Sequence, residues 1–202
     1  MDDLAACSDA QAAVETLRAR QAAELIFTRL GTQLVALTPA RPLPALFSRA
    51  ELQRYRTLER LLPPHVFEVG ARALSTAATD GSCECIVFIG GGAAGKTYLA
   101  HRTLEQLCAL SAGAAALEAP LLASSDVHEL FRADGAILCR AASLYYAPDG
   151  RVGAARVHAV LFGRDALLVP PPAGAEGRGA LRAFDALERS RGTSLVVPPY
   201  AR

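Results

Sequence analysis

The chain has 202 residues, 51 % hydrophobic and 20 % charged, a size for one domain or for a domain and part of another. Its formal net charge of +1 argues against a nucleic-acid or membrane-surface partner held by bulk electrostatics. Cys7, Cys83, Cys85, Cys108 and Cys139 follow no disulfide or zinc spacing, Met1-Asp2-Asp3 leads into no apolar leader, and no apolar run reaches membrane-spanning length, so a reducing, cytoplasmic setting is expected.

From Ala10 to Glu24 an alanine-rich run places Ala10, Val14 and Leu17 at helical spacing behind Ser8 or Asp9 as the cap. Leu25–Phe27 and Thr32–Leu37 are short apolar runs around Gly31, which predicts a tight hairpin. Thr38-Pro39-Ala40-Arg41-Pro42-Leu43-Pro44 predicts an ordered, extended loop, because its prolines forbid helix and ladder alike. Ser48–Leu62 predicts a helix with Leu52, Tyr55, Leu58 and Leu62 on one face, stopped by Pro63-Pro64. His65–Ala77 predicts another, with His65 as a structural cap and Phe67, Val69, Ala71 and Leu74 apolar, before a turn at Asp80-Gly81.

The next stretch carries the chemistry. Cys85-Ile86-Val87-Phe88-Ile89 reads as a buried parallel strand, with Cys83 and Cys85 as small core or edge residues. It runs into Gly90-Gly91-Gly92-Ala93-Ala94-Gly95-Lys96-Thr97, which fits the phosphate-cradling pattern G-x-x-x-x-G-K-[ST]. In that pattern backbone N–H groups wrap an anion and the following helix adds its positive end. Lys96 then reaches the outer phosphates and the Thr97 hydroxyl holds Mg²⁺. Of 21 basic residues 20 are arginine, so Lys96 is the chain's single lysine. A slim ammonium stands where a side chain must thread to a phosphate. Ala93 carries a Cβ into the turn and crowds it if that position needs a positive φ.

Lys96–Leu110 predicts a helix with Leu99, Leu104, Leu107 and Leu110 buried, ended by Gly113, and Ser111–Pro120 a small-residue loop. Leu121–Phe131 predicts a helix with Val127, Leu130 and Phe131 as its apolar face. Ser143–Tyr146, Ala147-Pro148-Asp149-Gly150 and Arg151–Phe162 predict a β-hairpin. Val169–Gly179 reads as a linker and Ala180–Arg191 as a short helix. His101 is expected to face solvent, and neither His128 nor His158 has a partner at a telling distance, so no catalytic residue is assigned.

Several motifs in this order resemble the opening of a myosin motor head of the unconventional kind. Ile26–Gly31 resembles "IYTYIG", Val35–Pro44 resembles "VAVNPYKPLP", Pro63–Phe67 resembles "PPHIF", and the glycine loop resembles "GESGAGKT". The likeness begins at Asp2-Asp3-Leu4 and extends, weakening, to about Gly192. Leu121–Phe131 resembles "ILQANPVLEAFG", and Arg178, Phe184 and Leu187 match the end of "GERNFHIFYQLLAG". The expected organisation is a partial myosin-motor-like P-loop domain over 1–192 and an unmatched tail over 193–202. The expected fold is α/β, a P-loop NTPase-like three-layer sheet with helices, incomplete relative to a full motor domain.

The resemblance implies an actin-based motor ATPase, associated with the cytoskeleton, that holds ATP and Mg²⁺ on the glycine loop with the proline loop against the adenine. The departures qualify that expectation. Thr38 stands where the family has an adenine-contacting Asn, and the family's Tyr falls near Leu46 or Phe47. Gly91, Gly92 and Ala93 replace its Glu, Ser and middle Gly. Where the first switch should follow, Arg132–Arg140 brings no serine pair, and Asp134 reads as a surface Asp-Gly turn. The second switch and the actin-binding regions are not in this chain. The expectation is therefore a truncated, catalytically impaired nucleotide binder. Two alternatives stand beside it. One is an interaction scaffold that uses no nucleotide. The other is a small P-loop kinase or NTPase, for which Asp126 and Asp149 are the candidate metal ligands.

Overall fold

A computed structural model describes residues 3–56, 62–130 and 137–162, with the side chains of 125–130, 137–138 and 159–162 outside the description. The chain divides into two units, Met1–Leu110 and Ser111–Arg202. Among the described residues no helix is long and apolar enough to cross a membrane.

The first unit opens with a short 3-10 turn, Leu4–Ala6, capped by Asp3. The Asp3 carboxylate accepts from Ala5 N at 2.9 Å and from Gly31 N at 3.1 Å, and these amides hold its pKa below the usual carboxylate range. Helix α1 spans Ala10–Ala22, and of the two expected caps it is Asp9 that accepts from Ala12 N, at 2.8 Å. The expected apolar stripe does not anchor this helix, since Val14 is exposed. Arg20 anchors it instead. Buried, it donates from Nε to Thr28 Oγ1 and from a terminal nitrogen to Phe27 O, both at 2.8 Å.

Strands β1 (Phe27–Leu30) and β2 (Gln33–Ala36) pair antiparallel as expected, Phe27 opposite Ala36 and Leu30 opposite Gln33. Gly31 takes φ +58° in the two-residue turn. The proline loop follows and ends in a 3-10 turn, Pro44–Phe47. Helix α2 covers only Arg49–Arg54, capped by Ser48 and closed by Tyr55. The expected helix to Leu62 is thus shortened, and residues 57–61, with Leu58, lie outside the described set. Tyr55 shows why the helix closes there. It is buried, its hydroxyl donates to Pro63 O at 2.9 Å, and its ring stacks on His65.

Helix α3 (Val66–Asp80) runs from His65 to Gly81, which takes φ +62°. The His65 Nδ1 accepts from Phe67 N at 3.1 Å, so the ring is the helix cap the sequence predicts. The same ring lies within 4.6–5.6 Å, centroid to centroid, of Phe27, Phe47, Tyr55 and Phe67. Ile26, Phe27, Tyr55, Val66 and Phe67 form the core here. Arg29 docks the hairpin on α3 through Glu68 at 2.8 Å.

Helix α4 (Lys96–Leu110) has the expected bounds but not the expected buried face. Leu99, Leu104, Leu107 and Leu110 are half-buried, whereas Thr103, Gln106 and Cys108 are buried. Close approach to α3 explains this. At Gly70 a Cβ would fall 2.4 Å from Gln106 Oε1 and 3.3 Å from Thr103 Cγ2, so small and polar groups occupy the seam. Gln106 Nε2 donates to Phe67 O at 2.7 Å across it.

The parallel-sheet expectation is corrected. Among the described residues there are two separate two-stranded antiparallel sheets in a mixed α/β arrangement and no three-layer sheet. Cys83–Ile89 has no ladder partner among them. Ile86 and Phe88 are half-buried, with Phe88 against the core, while Val87 and Ile89 are 68 % and 89 % exposed. A strand buried on both faces needs neighbours on both edges, and none is described here. Cys83 and Cys85 are accordingly exposed rather than core residues.

In the second unit helix α5 spans Ala115–Leu130 and contains Pro120, where a loop through Pro120 is expected. Alanine and leucine favour the helix strongly enough to absorb one missing N–H. The apolar face assigned to Val127, Leu130 and Phe131 lies outside the described side chains, as do residues 131–136 with Asp134. Strands β3 (Ile137–Tyr146) and β4 (Val152–Phe162) form the expected hairpin, with Ile137 opposite Phe162. Its turn carries Gly150 at φ +78° and Asp149, whose Oδ1 accepts from Arg151 N at 3.0 Å. The expected linker at 169–179, the helix at 180–191 and the tail fall outside the described residues.

Two predictions follow the packing. Gly70→Ala gains helix propensity but drives a methyl into Gln106, and a net loss of about 1–2 kcal/mol is expected in denaturant unfolding. In a Gln106→Ala background, where the seam bond is already lost, Gly70→Ala should cost much less, and a double-mutant cycle measures that coupling. Burial lowers the His65 pKa to about 4, with only the Leu46 backbone favouring the cation. Between pH 6.5 and 4 the unfolded chain therefore binds the extra proton, and stability falls as pH drops through that window. His65→Asn, which keeps a capping acceptor, should remove about 3 kcal/mol of this pH dependence in unfolding titrations from pH 7 to 4.

Candidate functional site

The glycine loop joins the half-buried Phe88 to the first turn of α4. Two of its residues take the left-handed conformation, Ala93 at φ +57° and Gly95 at φ +82°. The requirement for positive φ at position 93 is thus met by a residue with a Cβ. Gly91 and Gly92 do not take that conformation, and an added Cβ there would meet nothing within 4 Å. Gly90 approaches its surroundings more closely, since a Cβ would come 3.4 Å from that of Ala94.

The helix begins where the loop ends. Leu99 N donates to Gly95 O at 2.9 Å, the first helical bond, so the N–H groups of Lys96, Thr97 and Tyr98 have no partner within the helix. Lys96 folds back over the loop and its ammonium donates to the Gly91 carbonyl. Lys96 is half-buried and Thr97 is exposed. All eight residues named from the motif, Gly90 through Thr97, therefore lie in one curled turn with the single lysine across its mouth.

An apolar cavity of about 260 Å³ adjoins the turn. Ala94, Gly95, Tyr98 and Leu99 form one wall, and Ile26, Leu37 and the proline loop from Thr38 to Pro44 form the other, with Phe47. The proline loop is tied in place by Gln21 Nε2, which donates to Thr38 O at 3.0 Å, and by Arg41, which pairs with Glu24. Phe47 and Tyr98 meet edge to face at 5.2 Å, and Arg102 stacks on Tyr98 at 5.0 Å. Sequence reading does not single out Tyr98 as a wall residue. Its position directly after Lys96-Thr97 is the signal that could have found it.

The residues present suit a polyphosphate. The amides of Lys96, Thr97 and Tyr98 are left without partners in the helix, and the Lys96 ammonium lies over the same turn. Among the described residues no group of three or more His, Cys, Asp or Glu could hold a metal ion, so Mg²⁺ would be held by Thr97 together with phosphate oxygens of the ligand. Asp149 is in the β3–β4 turn rather than at the end of a buried strand, and the side chain of Asp126 is not described. His101 is half-buried rather than turned to solvent, and His158 is exposed.

The family model "Myosin head (motor domain)" matches residues 1–134. This chain belongs to the myosin head family. It is 32 % identical over 122 residues to unconventional myosin-Ic of Bos taurus, an alignment covering 58 % of this chain and 11 % of that protein. It is 30 % identical over 98 residues to myosin IC heavy chain of Acanthamoeba castellanii, covering 48 % and 8 %. With Myosin-1 of Coprinopsis cinerea it shares 33 % identity over 100 residues, 49 % and 8 % of the two chains. The chain thus spans only 8–11 % of the length of these relatives. The glycine loop, the proline loop and the His65 cluster all fall within the stretch matched to the myosin head.

Ala93 is the position in this loop where conformation and residue disagree. A left-handed backbone costs a residue with a Cβ about 1 kcal/mol relative to glycine. Ala93→Gly should therefore leave the chain as stable or up to about 1 kcal/mol more stable in denaturant unfolding, despite the extra freedom glycine gives the unfolded chain. A loss beyond about 1 kcal/mol would mean that the turn does not take this conformation in solution.

Proposed function

We propose that this chain binds a nucleoside triphosphate, ATP with Mg²⁺, on the turn from Gly90 to Thr97 and turns it over slowly if at all. One observation carries the reading: the chain's single lysine, Lys96, lies across a curled glycine loop at the start of a helix, with its ammonium already on a loop carbonyl. A phosphate entering the turn takes the place of that carbonyl as partner and adds the backbone amides and the helix dipole. Gly90–Gly95 would supply the amides, Lys96 the charge on the outer phosphates, and Thr97 a hydroxyl for Mg²⁺.

Slow turnover rests on the sequence after α5. Phosphoryl transfer is accelerated by charge and donors placed around the γ-phosphate and its attacking water. Arg132–Arg140 brings no serine pair for that task. In this reading the fold is a partial P-loop motor domain, with Cys83–Ile89 as its P-loop strand within the three-layer sheet of the family. The actin-based motor role, an actin partner and a cytoskeletal, cytoplasmic place in the cell enter the proposal through family membership alone.

The exposed side chains of Val87 and Ile89 support a second reading, in which the chain is an interaction scaffold that uses no nucleotide. Titration calorimetry with MgATP separates the two. Binding is expected for the unaltered chain, and Lys96→Ala should weaken it at least about tenfold. Turnover should stay below about one per second. Absence of any MgATP binding would favour the scaffold, and faster turnover would favour an enzyme with catalytic groups outside those named here.

A further inference from the structure

We infer that Thr32, at the tip of the β1–β2 hairpin, is a phosphorylation site, and that Arg72 on α3 receives the phosphate. Thr32 shares the two-residue turn with Gly31 and is exposed, a place where an enzyme that modifies the chain can reach it. Among the described residues its hydroxyl makes no hydrogen bond. Several other exposed hydroxyls are already engaged: Ser8 with Asp9, Thr79 with the Ser75 carbonyl and Ser82 with Glu84.

The receptor is in place before any phosphate arrives. Arg72 Nη2 donates to the Thr32 carbonyl at 3.1 Å, so a guanidinium already rests on the residue to be modified. Its Nη1 is 4.0 Å from Glu68 Oε1, too far for a hydrogen bond, while Glu68 is paired more closely with Arg29 at 2.8 Å. Arg72 therefore has N–H groups left for a new acceptor, and its side chain is 48 % exposed, so little has to move to bring them round. A phosphothreonine adds a charge of about −2 and three acceptor oxygens, which the planar guanidinium fork can take two at a time. Asp3 opposes it, since that carboxylate accepts from Gly31 N at 3.1 Å. Its charge is already shared with the amides of Ala5 and Gly31, whereas Arg72 meets the phosphate in direct contact. The hairpin thereby gains a second charged tie to α3 beside Arg29 and Glu68.

The phosphate comes from ATP held by a protein kinase. Thr32 Oγ attacks the γ-phosphorus, and the new O–P bond forms as the bond to the β,γ-bridging oxygen breaks. ADP leaves with that electron pair, and the hydroxyl proton passes to a base of the kinase.

Incubating the full chain with MgATP and a Ser/Thr kinase that accepts an arginine three residues before its target, as Arg29 is here, tests the site. Phosphopeptide mapping should find Thr32 carrying phosphate at least about fivefold more often than Ser75, which Arg72 precedes by the same spacing but which lies inside α3. In the phosphorylated chain, hydrogen exchange of the β1–β2 amides should slow by at least about threefold. The phosphate, followed by ³¹P NMR, should lose its second proton below the pH of about 6 usual for such a group. Arg72→Gln, an exposed change, should abolish both differences from the unmodified chain. Thr32 left bare while Ser75 or another hydroxyl is modified, or no phosphate anywhere, overturns the site. Phosphate on Thr32 with unchanged exchange and an ordinary titration, or effects that persist in Arg72→Gln, overturns the role of Arg72.

Discussion

The burial of one neutral imidazole among four aromatic rings fixes the geometry of the first unit. His65 caps α3 through its Nδ1 while its faces and edges pack on Phe27, Phe47, Tyr55 and Phe67. The cap sets where α3 begins, and the rings bring together the hairpin, the 3-10 turn after the proline loop and the end of α2. From there the constraint passes to α4. Gly70 lets α4 come close enough for Gln106 to bond the carbonyl of Phe67, the residue whose amide His65 caps. The first residue of α4 is Lys96, so the position of the cation is set by packing well away from the phosphate loop.

The loop itself is held from two sides of unequal strength. On its far side it is continuous with the first turn of α4, which is part of a packed helix pair. On its near side Phe88 is the anchor, within a stretch that has no ladder partner among the described residues. Precision in a phosphate cradle comes from amides fixed before the ligand arrives. The left-handed Ala93 works against that fixing, and the freedom of Gly91 and Gly92 does nothing to restore it. The turn is therefore built to the right pattern with less rigidity than the pattern can provide.

Much of this was legible in the sequence because it was local. Caps at Asp9 and His65, the Gly31 turn, the β3–β4 hairpin and the bounds of α4 all depend on a few neighbouring residues, and they appear where residue chemistry puts them. Features that depend on distant packing did not read out. Helical spacing marks the leucines of α4 as the inner face, but the small residue at position 70 reassigns that face to Thr103 and Gln106. The apolar run Cys85–Ile89, mostly β-branched or aromatic, reads as a buried strand, yet burial requires neighbours that periodicity cannot supply. Tyr55 ends α2 through a bond to Pro63, a contact invisible to a helical-wheel count. Motif spacing marked out the turn from Gly90 to Thr97, and the cavity beside it emerges only when the proline loop is folded against α4.

The glycine turn bears on what the proposed nucleotide site could do. On the proposed reading, amides and one ammonium would grip the parts of a nucleotide that change little between ground state and transition state. Interactions of that kind raise affinity and leave the chemical barrier where it was. Acceleration requires groups that strengthen as charge shifts onto the leaving and attacking oxygens, and these must approach the γ-phosphate from the side opposite the loop. The segment after α5 is where the myosin pattern would bring such groups, and its composition from Arg132 to Arg140 lacks the paired hydroxyls to do so. On the proposed reading, affinity and turnover would thus rest on different parts of the chain, and a site of this design would hold its ligand more readily than it cleaves it.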